Sequence, residues 1–130
     1  MSFNRLSNSK NHYQGSRKKV LCVCSAGLLR SPTIAWILSN EPFGYNTRAV
    51  GTSQEYALIP IDDVHIYWAD AIVFVDAGNY DALTYADLAM KELISNMEHH
   101  ILSIPDQFPF RDEKLVEIAT RQLKEAFGVE

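Results

Sequence analysis

Short apolar runs recur along the chain, and stretches in which apolar residues have helical spacing lie between them. The run Val20–Cys24 is apolar throughout, as is typical of a parallel strand that is buried on both faces. Further runs predict strands at Thr47–Val50, Ala71–Val75 and Ile101–Ile104. Residues 1–18 show no such pattern and are rich in Ser, Asn and charge. We therefore expect a flexible tail over residues 1–18 and one folded domain over residues 19–130.

The first and third helical stretches have clear starts. Ser31 followed by Pro32 predicts the start of the first helix, with the Ser31 hydroxyl as cap and Pro32 where its missing N–H does no harm. Asn79 opens a helical region that reaches about Asn96. Both stretches lie between predicted strands, so each is expected to cross over the sheet.

Acidic residues mark the starts of two other helices. Asp62 or Asp63 precedes a short helix that ends near Trp68, and Asp112 or Glu113 precedes the last helix. Gly128 follows the last helix, as glycine often does at a helix end. One face of this last helix is apolar and consists of Leu115, Ile118, Ala119, Leu123, Ala126 and Phe127.

The alternation of strands and helices predicts an α/β fold. Right-handed crossovers give a three-layer α/β/α arrangement around a four-stranded parallel sheet. In such folds ligands bind beyond the carboxyl ends of the strands. The loop between Cys24 and Arg30 follows the first strand, so it lies at the expected site.

Composition narrows the class of protein. The chain has 130 residues, 47% hydrophobic and 22% charged, and a net charge of −4. This balance argues against a general binder of nucleic acid or membrane surfaces, which would be basic. No apolar stretch is long enough to span a membrane, and the N-terminus does not resemble a signal peptide. The two cysteines, Cys22 and Cys24, are too close for a favourable disulfide, which fits a reducing, cytoplasmic location.

The loop after the first strand has the composition of an oxyanion site. Its phosphate-binding residues are expected to be Ser25, Ala26, Gly27, Leu28, Leu29 and Arg30. Backbone N–H groups in a strand-to-helix loop form a concave anion site, and Gly27 tolerates the positive φ that such a loop needs. Arg30 offers a planar fork for two phosphate oxygens. Cations and helix N-termini favour the thiolate form of cysteine, so we expect Cys24 to be the nucleophile and Ser31 to hydrogen-bond to it.

Such a reaction needs an acid for the leaving oxygen, and the segment after the fourth predicted strand contains two candidates. Asp106 follows Ile104-Pro105 directly, so the strand end would hold it rigidly. Asp112 is the alternative acid, although it is also a good N-cap for the last helix. We favour Asp106 for this reason. Phe108 and Phe110 either wall an aromatic-sized cleft or pack against the core.

Through these residues the chain resembles the low-molecular-weight protein tyrosine phosphatase family, and most of all its compact bacterial and phage-type branch. The family has Cys, five residues, Arg and Ser between its first strand and first helix, here Cys24 to Ser31, followed by Pro32. Further matching blocks are Gly51-Thr52, Trp68-Ala69-Asp70-Ala71-Ile72, Asp76-Ala77-Gly78-Asn79 and Ile104-Pro105-Asp106. The resemblance implies a phosphatase without cofactor. It implies the nucleophile Cys24, the phosphate clamp Arg30, the thiolate partner Ser31 and the acid/base Asp106.

The chain also departs from the family pattern. Gly27 replaces the usual Asn that braces the loop, and Leu29 replaces a second loop cysteine. The acid loop reads Asp106-Gln107-Phe108-Pro109-Phe110 instead of Asp-Pro followed by paired tyrosines. Leu28 occupies a position where a bulky apolar residue accompanies tyrosine specificity and Thr accompanies phosphoarginine. We therefore expect a phosphotyrosine protein or a small aryl phosphate as substrate.

Parts of the same sequence pattern also occur in proteins with other functions. A catalytically weak phosphate-binding module, or a phosphatase of nucleotide or RNA-end phosphates, remains an alternative. An arsenate reductase would need further cysteines downstream, and none follows Cys24. Cys22 is expected to be a small buried strand residue.

Two further sets of polar residues remain to be explained. Asp76 and Asn79 either brace the site or cap a helix. The histidines, which are His12, His65, His99 and His100, lack the spacing of metal ligands, so no metal is expected.

Overall fold

The computed structural model describes residues 17–24, 30–53, 60–105 and 112–129, and these residues form an α/β fold. In chain order the elements are β1 (Lys19–Cys24), α1 (Arg30–Ser39), β2 (Asn46–Gly51), α2 (Asp63–Trp68), β3 (Ala71–Phe74), α3 (Ala77–Ala86), α4 (Leu88–Ser95), β4 (Glu98–Ile101) and α5 (Glu113–Phe127). The strands form one sheet in the order β2-β1-β3-β4, and every pairing is parallel. The predicted fold class is confirmed.

The sheet register brings the carboxyl ends of the strands to one edge, which we call the carboxyl edge. Cys24 at the end of β1 is opposite Gly51 at the end of β2. Beyond these pairs, the Thr52 N–H donates to the Cys24 carbonyl at 2.8 Å, and the Val75 N–H donates to the Val23 carbonyl at 2.9 Å. The backbone on both sides of Cys24 is therefore fixed by neighbouring strands.

Each face of the sheet carries its own core. Helices α1 and α5 cover one face, where Val20, Cys22 and Cys24 of β1 are buried. Helices α2, α3 and α4 cover the other face, where the intervening Leu21 and Val23 are buried. Because both faces of β1 are covered, its residues are apolar without alternation, as the sequence pattern indicated.

Acidic caps hold three of the helices as their sequences indicated. Asp62 caps α2 through the His65 N–H, and Asp112 caps α5 through the Lys114 N–H. Gly128 ends α5 with φ +67°, a left-handed conformation that favours glycine. Asp76 caps α3 through the Asn79 N–H.

The expected cap of α1 is wrong. The helix begins at Arg30, so Ser31 is its second residue and Pro32 its third. The Ser31 side chain is fully buried and turns toward the sheet instead of capping the helix. Its hydroxyl contacts β1 and β2, as described below, and these contacts replace the local capping bond.

Two further element boundaries differ from the prediction. The region from Asn79 to about Asn96 is two helices, because Asp87 has extended backbone angles and its side chain caps α4 through the Met90 N–H. The fourth strand lies at Glu98–Ile101 instead of Ile101–Ile104. The buried residues Leu102 and Ile104 come after it, and their N–H groups still donate to the carbonyls of Phe74 and Val75.

Two other expectations concern the chain ends and membranes. Residues 1–16 lie outside the described residues, so the division into a tail and a domain stays a prediction. No helix in the described part of the chain is long and apolar enough to cross a membrane.

Candidate active site

The end of β1 and the start of α1 bring a thiol and a hydroxyl together at the carboxyl edge. Cys24 is the last residue of β1 and is only 3% exposed. Its Sγ lies 3.1 Å from the Ser31 Oγ. The Ser31 hydroxyl also lies 3.4 Å from the Val50 carbonyl oxygen, to which it can donate.

A hydroxyl carries a single proton, so these two contacts depend on the state of the sulfur. When Cys24 is a thiol, its S–H donates to Ser31 while the hydroxyl proton points to Val50. When Cys24 is a thiolate, the hydroxyl proton turns to the sulfur. Ser31 is thus placed to stabilise the anion at the cost of one weak hydrogen bond.

The guanidinium of Arg30 is buried and held in one orientation. Arg30 is 5% exposed, and its Nη1 donates to the Asp76 Oδ2 at 2.7 Å and to the Ile104 carbonyl at 3.0 Å. A buried guanidinium needs such partners, because an uncompensated buried charge is costly. Both partners lie at the carboxyl edge, so they direct the Arg30 side chain toward the ends of the strands.

Asp76 has two roles, which the sequence offered as alternatives. Its Oδ1 accepts the Asn79 N–H at 2.9 Å and so caps α3. Its Oδ2 accepts the bond from Arg30. Asp76 is the second residue after the end of β3 and directly follows Val75, whose N–H donates to β1. The sheet therefore fixes the backbone that carries Asp76. The cap holds the carboxylate in the rotamer that binds Arg30.

The backbone after β4 completes the support of Arg30. Ile104 is 2% exposed, and its N–H donates to the Val75 carbonyl at 3.2 Å. Its own carbonyl therefore points to Arg30 from a fixed position. The sequence did not predict this contact, because the side-chain pattern carries no information on a backbone carbonyl.

Several predicted site residues lie outside the described residues, so their roles stay predictions. They are the loop residues Ser25, Ala26, Gly27, Leu28 and Leu29, together with Asp106, Phe108 and Phe110. The alternative acid Asp112 is described, and its Oδ1 accepts the Lys114 N–H at 2.9 Å as the cap of α5.

Cys22 is sealed in the core, as expected. It is 0% exposed and lies on the same face of the sheet as Cys24. Burial, together with the neighbouring Cys24, raises the pKa of the Cys22 thiol far above its ordinary value. Cys22 therefore stays protonated and is a poor nucleophile.

Comparison with known proteins supports the fold. No family model matches the sequence, and no curated protein matches it. The structure of Vibrio vulnificus Wzb in complex with benzylphosphonate matches with a TM-score of 0.61 and 17% identity, covering 85% of this chain and 94% of that one. The YwlE arginine phosphatase from Geobacillus stearothermophilus matches with a TM-score of 0.57 and 18% identity, covering 85% and 88%. Both have the low-molecular-weight protein tyrosine phosphatase fold, so the resemblance found in the sequence is confirmed at the level of the fold.

Proposed function

We propose that the protein is a phosphomonoester hydrolase of the protein tyrosine phosphatase type, with Cys24 as its nucleophile. The observation that carries this proposal is the 3.1 Å contact between the Cys24 Sγ and the Ser31 Oγ, next to a buried and oriented Arg30. A thiol, a hydroxyl and a guanidinium at the carboxyl edge of a parallel sheet match the requirements of covalent phosphoryl transfer.

The similar structures agree with this chemistry. One was solved with benzylphosphonate, and the other is described as an arginine phosphatase. Each of these concerns a phosphorus group attached to an organic molecule. We extend this substrate class, a phosphorylated organic group, to the present chain.

In the first step of the proposed reaction the Cys24 thiolate attacks phosphorus. An S–P bond forms, and the P–O bond to the leaving alcohol breaks. Asp106, in its protonated form, gives its proton to the leaving oxygen. Arg30 and the backbone N–H groups of residues 25–29 neutralise the phosphate oxygens, whose charge spreads in the transition state.

In the second step water hydrolyses the phosphocysteine. Water attacks phosphorus while the Asp106 carboxylate takes its proton, and the S–P bond breaks with its electron pair returning to sulfur. The Ser31 hydroxyl then donates to the departing thiolate. Phosphate is released, and both Cys24 and Asp106 return to their starting states.

The position of Ile104 supports Asp106 as the acid. The Ile104 carbonyl contacts Arg30 at 3.0 Å, and Asp106 is two residues further along the chain. Asp112 instead has a structural task as the cap of α5. For the substrate we propose a phosphotyrosine protein or a small aryl phosphate, with Phe108 and Phe110 beside the ring. We also propose a cytoplasmic location, because the two cysteines of the chain are only one residue apart and do not make a disulfide framework.

The test is hydrolysis of para-nitrophenyl phosphate by the wild type and three variants. We expect complete loss in Cys24→Ser and a fall in kcat of about 100-fold or more in Asp106→Asn, the usual scale for removing a general acid. Asp112→Asn is the matched control, because Asn is also a good cap and the same charge is removed. This control should retain wild-type activity.

Other results would change the assignment. Loss of activity in Asp112→Asn with no effect in Asp106→Asn would make Asp112 the acid. Absence of vanadate-sensitive hydrolysis in the wild type, with phosphate binding retained, would favour a phosphate-binding module. Faster hydrolysis of phosphoarginine than of phosphotyrosine would overturn the proposed substrate.

A further inference from the structure

A groove lies on the sheet face that carries α2, α3 and α4. It has a volume of about 570 Å³, and its floor includes Ile61, Leu83 and Met90. These three side chains belong to the core of this face. Tyr67 of α2 lines the same groove and is 70% exposed. The groove therefore offers an apolar floor and an exposed aromatic ring to a binding partner.

The charged residues among those described that line this groove are all carboxylates. They are Asp62 and Asp63 at the start of α2 and Asp87 between α3 and α4. The side chains of lysine and arginine have long apolar stems that pack on an apolar floor while the charged end reaches outward. The charge and the shape of the groove together thus favour the binding of a basic peptide segment that also contains apolar residues.

One end of the groove lies at the carboxyl edge, where the candidate active site also lies. Thr52 lines the groove, and its N–H donates to the carbonyl of Cys24 at 2.8 Å. Ile61, on the groove floor, donates its N–H to the Gly51 carbonyl at the end of β2. The groove and Cys24 are thus linked along the carboxyl edge, which a peptide with its phosphorylated residue at Cys24 can follow to reach the groove.

We propose that the groove binds a basic, apolar-containing segment flanking the phosphorylated residue of a protein substrate. This inference rests on the proposed function, because it gives the groove a role in choosing the phosphatase substrate. A second copy of the chain is a poorer occupant, because the carboxylates of two identical rims would face each other.

The test compares two phosphotyrosine peptides of equal length. One has alternating Lys and Leu on both sides of the phosphotyrosine, and the other has Glu in place of each Lys. We expect the wild type to prefer the basic peptide by about tenfold in kcat/KM, which is the combined effect of two or three exposed charge contacts. This preference should shrink at about 0.5 M salt, where the charges are screened.

Substitution of a carboxylate that lines the groove tests whether the preference for the basic peptide arises there. Asp63→Lys should remove most of the roughly tenfold preference, and Asp63→Asn should remove about half, because one attraction is reversed or deleted. Asp63 caps neither helix, so these variants leave the caps intact. Asp81→Lys is the matched control, since Asp81 is exposed on α3 and is not among the residues that line the groove. It should keep the wild-type preference.

Binding of the unphosphorylated basic peptide separates this inference from the proposed function. Its fluorescence anisotropy with the wild type needs no turnover, and weaker binding to Asp63→Lys than to Asp81→Lys supports the groove even if the protein hydrolyses nothing. Equal hydrolysis and equal binding of the two peptides by an active wild type would overturn the groove while leaving the phosphatase in place. Equal effects of the two Lys variants would also overturn it, because they would show a general charge effect.

Two other occupants of the groove, the N-terminal segment and a second copy of the chain, would give different results in binding experiments. Residues 1–16 contain Arg5 and Lys10 and no Asp or Glu. If Arg5→Glu with Lys10→Glu in the full chain tightens binding of the basic peptide, this segment is the occupant and the proposal is wrong. Self-association in sedimentation velocity that the basic peptide abolishes would assign the groove to a second copy and would overturn the proposal as well.

Discussion

Asp76→Asn is the sharpest test of how the site is held together. Asp76 uses both carboxylate oxygens, one for the Asn79 N–H and one for the Arg30 guanidinium. An amide has only one oxygen, and its NH₂ group cannot accept either bond. The variant must therefore give up the cap of α3 or the contact with Arg30.

The expected loss in the free energy of unfolding follows from these two contacts. A lost cap costs about 1 kcal/mol, and a lost hydrogen bond to a charged group costs roughly 1.5–3 kcal/mol. The Asp76 side chain is 35% exposed, whereas that of Arg30 is 6% exposed, so water screens one partner and reduces the upper value. We expect a loss of about 1–2 kcal/mol, together with a fall of about 10–100-fold in kcat/KM for an aryl phosphate, as Arg30 loses its orientation.

Urea unfolding at pH 7 measures the stability, and Asp87→Asn is the matched control. Asp87 also caps a helix, and its Oδ1 accepts the Met90 N–H at 3.0 Å. Asn preserves a cap of this kind, so the control should lose less than about 0.5 kcal/mol. The control should also hydrolyse the aryl phosphate at the wild-type rate.

Equal losses in the two variants would refute the reasoning. They would mean that the Asp76–Arg30 contact contributes nothing beyond the cap. A normal unfolding curve for Asp76→Asn with unchanged kcat/KM would likewise show that Arg30 is oriented without this carboxylate.

Two further predictions concern the cysteines and the ion pairs of Glu98 with Lys18 and His100. Hydrogen peroxide should oxidise Cys24 to forms that dithiothreitol does not restore, because the raised pKa of the buried Cys22 thiol keeps Cys22 from forming a disulfide with Cys24. The variant Cys22→Ala should be oxidised like the wild type. A Cys22–Cys24 disulfide detected by mass spectrometry would contradict this prediction. Burial alone would raise the pKa of Glu98, but hydrogen bonds from Lys18 and His100 lower it below its ordinary value. The stabilisation from Glu98 is thus present above the ordinary pKa of a glutamate and is lost as pH falls through the lowered value. Glu98→Gln should cost less than about 1 kcal/mol at pH 6, since these groups are partly exposed. The difference in stability from the wild type should shrink as the pH is lowered below the ordinary pKa of a glutamate. A difference that is constant with pH would show that charge is not its cause.

The fold could be predicted from the sequence because burial leaves a strong pattern. The continuous apolar run of β1 requires cover on both faces, and parallel strands with helical crossovers are the arrangement that provides it. The fourth strand was misplaced for the same reason. Glu98–Ile101 is an edge strand with exposed or half-exposed residues, so it lacks the apolar signal, while the buried Leu102 and Ile104 carry that signal beyond its end.

Part of the candidate site could also be predicted from the sequence, and part could not. The spacing of Cys24, Arg30 and Ser31 predicted that these residues share one site, and the close contact between Cys24 and Ser31 agrees with this. The cap assigned to Ser31 was wrong because local capping rules do not include the tertiary partner at β2. Asp76 and Asp112 carry the same local signature of an acidic residue before a helix, so only their places relative to the sheet distinguish them.

The strand order explains why these contacts lie on both sides of the end of β1. In the order β2-β1-β3-β4, Cys24 ends a central strand. On one side, Ser31 is anchored to Val50 of β2. On the other side, Arg30 is anchored after β3 and after β4 by Asp76 and Ile104. Ser31 is therefore supported from the β2 side of Cys24, and Arg30 from the β3 side. A change of strand order would separate these supports even if every residue were kept, so the sheet topology contributes to the proposed chemistry as directly as the side chains do.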